Sequence, residues 1–216
     1  ELTGCPADKI SVIYGAVDED FSPMPRPEAV DLVATHYEAY QPFLLFVGTL
    51  EPRKNVDGLI RAFKRVAREI PHSLVLAGQP GWNAGAIERA IRDANLGNRI
   101  VRTGWVKREH LPAFYSAADA FVFPSHYEGF GLPVLEAMCS GCPVIAAHTS
   151  SLPEVGGNAA QYFDPRIEDS MAGALLKVLG DDELRDTMSA EGLERVRLFS
   201  WEICARKVAS VYRSLM

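Results

Sequence analysis

Two carboxylates bracket a glycine turn in SHYEGFGLPVLEAM, Ser125 to Met138. Glu128 stands at the mouth of the turn and Glu136 inside the helix that the turn opens. Between them Gly129, Phe130 and Gly131 offer backbone amides to an approaching anion. Pro133 falls where a first helical turn tolerates proline, because that N–H has no intrahelical partner there. A helix N-terminus with free amides attracts phosphate. The carboxylates accept hydrogen bonds from hydroxyls and would repel a bare phosphate. A ligand carrying both phosphate and sugar hydroxyls, such as a nucleotide sugar, satisfies both demands.

Helical side chains lean toward the N-terminus. Glu136, one turn in, can therefore point back at the ligand and take two vicinal hydroxyls, as a ribose offers. The plainer alternative is an acid at the positive end of a helix dipole; for Glu128 it is a surface-loop acid. A second loaded loop is GTLEPRKN, Gly48 to Asn55, which brings Arg53 and Lys54 to the start of a helix. Arginine can hold two oxygens of a diphosphate and lysine supplies a point charge. In catalysis both would offset charge growing on a departing nucleoside diphosphate. Alone, the pair would read as solvated surface charge; its placement opposite Glu128 favours the site.

The elements that must position these loops are legible in the apolar pattern. Runs at Phe43–Val47, Ser73–Ala77, Ile100–Thr103, Ala120–Pro124 and Val144–Ala147 are nearly continuously apolar, as parallel strands covered on both faces should be. Helical periodicity follows the first run to Pro71 and recurs at Ala84–Asn95, Glu109–Ala117, Pro133–Ser140, Glu168–Leu179 and Asp182–Leu198. A last helix follows Ser200, a suitable N-cap. Ile10–Val17 reads as a short strand, and the proline- and acid-rich segment after it as a linker. The class is α/β: a Rossmann-like, doubly wound parallel sheet with helices on both faces. An order 3-2-1-4-5 sets strands 1 and 4 side by side where the winding reverses, and such folds bind ligands there. The loops after those strands are the two described above.

The composition is that of an ordinary globular domain: 216 residues, 48% hydrophobic, 23% charged, net charge −6. Mild acidity argues against a nucleic-acid partner. No apolar run spans a bilayer, and the start at Glu1 without methionine reads as a fragment or processed piece. Cys139 and Cys142 have the spacing of a redox or zinc pair, but no second pair completes a metal site. Two packed, reduced residues are the better reading. The loop after Val47 lacks the three spaced glycines of a dinucleotide fingerprint. There is no Walker motif and no aspartate pair for a divalent metal, so no cofactor and no metal is expected. His126 and His148 lie at the crevice rims without an assigned role. The stripe Arg61, Lys64, Arg65, Arg68 reads as a solvated face, with anionic lipid contact as its alternative.

The combination of VGTLEPRKN, GWV with AFYSAADAFVFPS, and YEGFGLPVLEAMCSGCPVIAAHTSSLPEV resembles the C-terminal, donor-binding domain of retaining GT-B glycosyltransferases, group 1 (GT4). Bacterial mannosyl- and glucosyltransferases belong to this family. The resemblance runs from about Ile10 to the C-terminus. It implies that Glu128 contacts the transferred sugar, that amides from Gly129 through Leu132 meet the sugar and diphosphate, and that Glu136 holds the ribose. Lys54 with Arg53 would bind the diphosphate at the Gly48–Thr49 turn, and the backbone around Val106 would line the base. Catalysis would rest on Glu128, Lys54 and Arg53 without a metal. Thr49 stands where many members carry arginine, and Gly15-Ala16 stands where Asn-Gly is usual. Guanine-binding relatives place an acid soon after the GxV segment; here Lys107 and Arg108 come first and Glu109 follows, a pattern that gives guanine no support.

The resemblance also implies a division into residues 1–40 (end of an N-terminal domain and connection), 41–198 (donor domain) and 199–216 (crossover helix). The partners implied are a nucleotide-sugar donor, an N-terminal acceptor domain of the same protein, and a glycan or glycolipid acceptor. The setting implied is cytoplasmic, with peripheral contact at the inner face of the membrane as an option. The expected activity is hexose transfer with retention, leaning to a mannosyltransferase of surface polysaccharide or lipopolysaccharide. A non-catalytic nucleotide-sugar-binding module is the alternative, and a dehydrogenase is remote.

Overall fold

The computed structural model describes residues 4–215. In chain order the elements are α1 (Arg26–Tyr37), β1 (Phe43–Val47), α2 (Val56–Val66), β2 (Ser73–Ala77), α3 (Gly85–Ala94), β3 (Ile100–Gly104) and α4 (Leu111–Ala117). They continue with β4 (Ala120–Phe123), α5 (Leu132–Cys139), β5 (Val144–Ala147), α6 (Leu152–Gly156), β6 (Ala160–Phe163), α7 (Glu168–Leu179), α8 (Asp182–Val196) and α9 (Trp201–Ser214). The strands form one parallel sheet in the order β3-β2-β1-β4-β5-β6. β1, β2, β4 and β5 are almost wholly buried, which is why their sequences do not alternate. The central pairing sets Leu44 against Ala120 and Leu45 against Phe121, so the loops leaving β1 and β4 adjoin.

The five strands expected from the apolar runs stand in the expected order, and β6 extends the sheet beside β5. In β6 only Phe163 is buried, so its sequence, AQYF, lacks the apolar run that marks the inner strands. Ile10–Val17 is not a strand. The segment pairs with no strand; Ile10 and Val12 are exposed and Tyr14 is stacked on Phe130. The segment expected as a linker gives way at Arg26 to α1, which packs on α4 and buries Ala29 and Val33 in the core. Prolines at Pro25 and Pro27 open this helix rather than break it. α2 ends at Val66, short of Pro71. Beyond it the Arg99 guanidinium donates to the carbonyls of Ala67, Ile70 and His72, holding an irregular turn. α6 is a single short turn of helix that periodicity does not reveal.

Candidate functional site

The crevice at the carboxyl ends of β1 and β4 holds an ion-paired cluster. Arg53 and Lys54 sit in a 3-10 turn, Pro52–Lys54, ahead of α2. Lys54 Nζ lies 2.7 Å from Glu128 Oε1, and Arg53 Nη1 lies 2.9 Å from Glu128 Oε2. Glu51 takes the other arm of Arg53 at 2.9 Å. The Lys54 ammonium also rests 4.7 Å from the centroid of the Phe123 ring, the buried last residue of β4. Lys54 and Glu128 side chains are only 11% and 10% exposed, whereas Arg53 is 45% exposed. Burial alone would raise the Glu128 pKa. The hydrogen-bonded charges of Lys54 and Arg53 outweigh it and hold the carboxyl below its ordinary value. Glu128 is therefore an anion at neutral pH, and each of its oxygens contacts one of the two cations.

Three residues that the sequence reasoning did not single out fasten these loops. Asn55, in left-handed conformation with φ 52°, is 3% exposed. Its Nδ2 donates to Pro124 O at 3.2 Å and to Pro165 O at 3.1 Å, pinning the start of α2 to the chain ends leaving β4 and β6. A Cβ on Gly58 would lie 2.2 Å from Asn55 Oδ1, so the helix needs glycine there to make room. The β5–α6 loop supplies the other two. Ser150 Oγ accepts from Glu128 N–H at 3.0 Å, and Ser151 Oγ donates to the carbonyls of Glu128 and Phe130 at 3.0 and 2.8 Å. Backbone joins the two site loops directly, His126 N–H donating to Arg53 O at 2.9 Å. The signal in the sequence was the Asn-Val start of α2 and the Ser-Ser pair before Leu-Pro, but their partners are distant in the chain.

Gly131 is the N-cap of α5, with φ 107°, a conformation that glycine alone adopts without strain. A Cβ there would also lie 2.8 Å from Leu152 Cδ2. No side chain caps this helix end. The Phe130 ring turns away into a cluster with Tyr14 and Phe199, centroids 6.0 and 6.1 Å apart, so this residue offers the crevice only its backbone. Leu132 and Gly129 are exposed at the rim. One turn deeper, Glu136 Oε2 accepts from the hydroxyl of fully buried Tyr115 at 2.9 Å. Burial raises the Glu136 pKa more than that hydrogen bond and the Arg108 charge lower it.

The remaining expected positions divide. Gly48 lies beside Lys54: a Cβ on it would meet Lys54 Cε at 3.8 Å. Thr49 is drawn to the β2–α3 loop instead, its methyl packed against Gly81. Val106 is buried and the adjoining Trp105 is 64% exposed. His126 is exposed, and His148 stacks edge-on against Tyr162. Cys139 and Cys142 are free thiols, and burial pushes the Cys139 thiol up to about 11. In the basic stripe, Arg61 pairs with Asp57 and Glu168, and Arg65 with Glu168 and Asp169, so much of its charge is met within the fold. Among the described residues no helix is long and apolar enough to cross a membrane.

Known proteins resemble this chain in sequence and in architecture. The family model described as Glycosyl transferases group 1 matches residues 36–195. O-antigen chain mannosyltransferase B of Escherichia coli is 37% identical over 99% of the chain, which spans 57% of that protein's length. Among solved structures, the C-terminal domain of the group 1 family protein LpcC from Francisella tularensis is 25% identical, with a TM-score of 0.75. That match covers 85% of this chain and 97% of the LpcC domain. Anabaena Alr3699/HepE, solved with UDP and glucose, shares the fold with a TM-score of 0.86 at 20% identity, covering 99% of this chain and 59% of its own.

Proposed function

Starting from the fact that this chain belongs to the group 1 glycosyl transferases, we propose that it is the donor-binding part of a retaining hexosyltransferase. The hexose is mannose, carried on a nucleoside diphosphate, and the acceptor is a glycan or glycolipid. The observation that carries this reading is the convergence of Lys54, Arg53 and Glu128 beside the uncapped start of α5, with Glu136 one turn deeper. No single ligand charge suits that arrangement. A diphosphate suits the cations and amides, and hydroxyls on either side of it suit the two acids. HepE, of the same fold, was solved with UDP and glucose; a ligand of that class is proposed here on the chemistry of this chain's residues.

On this reading the diphosphate takes Lys54 and Arg53 from Glu128, whose carboxylate is then released to accept from sugar hydroxyls. Glu136 accepts from the ribose. The acceptor hydroxyl attacks the anomeric carbon from the face that the diphosphate leaves. The new glycosidic C–O bond forms as the bond to the diphosphate breaks, and the hydroxyl proton passes to the departing phosphate oxygen. Lys54, Arg53 and the α5 amides stabilise the growing negative charge, and placement of both reactants supplies the rest. The site residues implied by the resemblance, from Gly48 to Glu136, line the donor on this reading. So do the division at residues 40 and 198 and an acceptor domain on the same polypeptide.

Calorimetric titration with nucleoside diphosphates tests the site. Binding at millimolar concentration or tighter is expected, with a loss of roughly tenfold or more in Lys54→Ala. A nucleoside without phosphates that binds as well as its diphosphate would refute the assignment of the cations.

A further inference from the structure

Two exposed aromatic rings stand on the loops beside the ion-paired cluster and have no part in the reading above. Both β2 and β4 pair with β1, so the loops leaving them lie on either side of the loop that carries Arg53 and Lys54. The β2–α3 loop carries Trp82, 79% exposed, and the β4–α5 loop carries Tyr127, 65% exposed. Among the described residues neither side chain has a hydrogen bond or a ring contact. Single exposed aromatics are ordinary on a protein surface; a firm mounting beside a cluster of charges is not.

The mounting is backbone. Gly81 N–H donates to Leu50 O at 3.0 Å, and Leu50 N–H donates to Gln79 O at 2.9 Å. A Cβ on Gly81 would collide with the Thr49 methyl and lie 3.4 Å from Glu51 Cβ, so Trp82 follows a residue pressed against the β1–α2 loop. Asn83 then turns the chain at a left-handed φ of 54°. On the other side, Arg53 Nη1 donates to Tyr127 O at 2.9 Å, while Arg53 Nη2 pairs with Glu51 at the same distance. Arg53 therefore links the loops that hold the two rings.

The ligand follows from what these side chains offer. An aromatic ring is a broad apolar face, and a pyranose matches it with the C–H bonds of one face while its hydroxyls point outward. Gln79 and Asn83 flank Trp82 with exposed amides, which both donate and accept, as a hydroxyl does. A membrane surface would call for unpaired basic residues around the rings; the charged neighbours of this turn, Glu51 and Arg53, already pair with each other. We propose that Trp82 and Tyr127 stack on pyranose rings of the acceptor glycan, so that the donor half adds a contact of its own to those of the acceptor domain. This rests on the proposed function, since a glycan at the mouth of the crevice is an acceptor only if the cluster within holds the donor.

The test titrates the 216-residue chain with α-linked mannotriose, followed by saturation-transfer NMR, beside calorimetry with GDP and UDP. The trisaccharide is expected to bind at millimolar concentration, with saturation passing from the aromatic rings to its C–H protons. Trp82→Ala and Tyr127→Ala should each weaken it by about fivefold to tenfold, and Trp82→Phe should restore it to within about threefold. Diphosphate affinity should stay within about twofold in the Trp82 variants. Diphosphate binding without trisaccharide binding overturns the proposal and leaves the donor site standing. So does trisaccharide binding that survives either alanine substitution. Loss of diphosphate affinity in Trp82→Ala would place the ring in the donor site instead, against the proposal. Trisaccharide binding by a chain that binds no diphosphate refutes the donor reading, and the acceptor role with it.

Discussion

At the scale of single residues, the site is shaped by where charge has been left partnered. Glu128 is held by the two cations that the proposed donor needs, so binding must exchange one set of partners for another. Glu128→Gln should therefore tighten a nucleoside diphosphate by several-fold, since a neutral amide competes less for Lys54 and Arg53. On the proposed function, the same change should abolish sugar transfer in a polypeptide that also carries the acceptor domain. Weaker diphosphate binding in that variant would contradict the exchange. Glu136 carries the opposite sign. Its pKa is raised by burial, so folding favours its protonated form, and the penalty for keeping it ionised appears as pH rises through the carboxylate range. Glu136→Gln should raise the melting temperature at neutral pH by about 2 °C and weaken nucleotide binding about tenfold. A thermal scan with a parallel titration separates the two effects.

At the scale of elements, two crossings decide whether the loops meet. Asn55 joins the start of α2 to the carbonyls of Pro124 and Pro165 from a left-handed backbone position. Asn55→Ala removes both hydrogen bonds, leaves two buried carbonyls short of a donor and places alanine at positive φ. The expected cost is about 2–4 kcal/mol by chemical denaturation. Gly58→Ala, which forces the Asn55 amide aside, should give a loss of similar size, and both should loosen diphosphate binding. Asp119 makes the other crossing. It pairs with Arg26 of α1 at 2.5 Å and accepts from Phe43 N–H at the start of β1. Burial would raise its pKa; His72 and Arg26 lower it below the ordinary value. A carboxyl lowered in the fold stabilises above its unfolded pKa, and that contribution is lost as pH falls through the folded one. Asp119 and Glu128 share this sign, so stability should drop below about pH 4. Asp119→Asn should flatten that limb of a melting curve measured against pH.

At the scale of the whole molecule, the chain spans 57% of the length of its E. coli mannosyltransferase relative. The helix α9 has no buried residue, and Trp201, Val208 and Tyr212 stand exposed along it. Ile203 and Val211 are only half-buried. On the proposed function, the acceptor is held by an acceptor domain on the same polypeptide. On that reading the 216 residues alone are expected to bind nucleoside diphosphate without transferring sugar, and a polypeptide that also carries the proposed acceptor domain is expected to do both. A radiolabelled-donor assay on the two side by side decides it, and transfer by the short chain would show that no second half is needed.

What the sequence determined by itself were the elements whose residues carry a local signature. Continuous apolar runs gave the inner strands, because a strand buried on both faces has no polar side to show. The glycine turn and Pro133 marked the start of α5, because backbone conformation is chosen by the residue that adopts it. The winding rule then set Lys54 and Glu128 at one crevice, since strand order follows from crossover handedness. The edge strand β6 and helix α1 escaped that reading, one half-exposed and the other hidden behind prolines. Only the tertiary structure decided which partners the acids hold. The grip of Lys54 and Arg53 on Glu128, of Tyr115 on Glu136 and of Asn55 on two distant carbonyls joins residues remote in the chain. Such contacts arise when packing brings side chains within hydrogen-bond reach, and no local pattern records it.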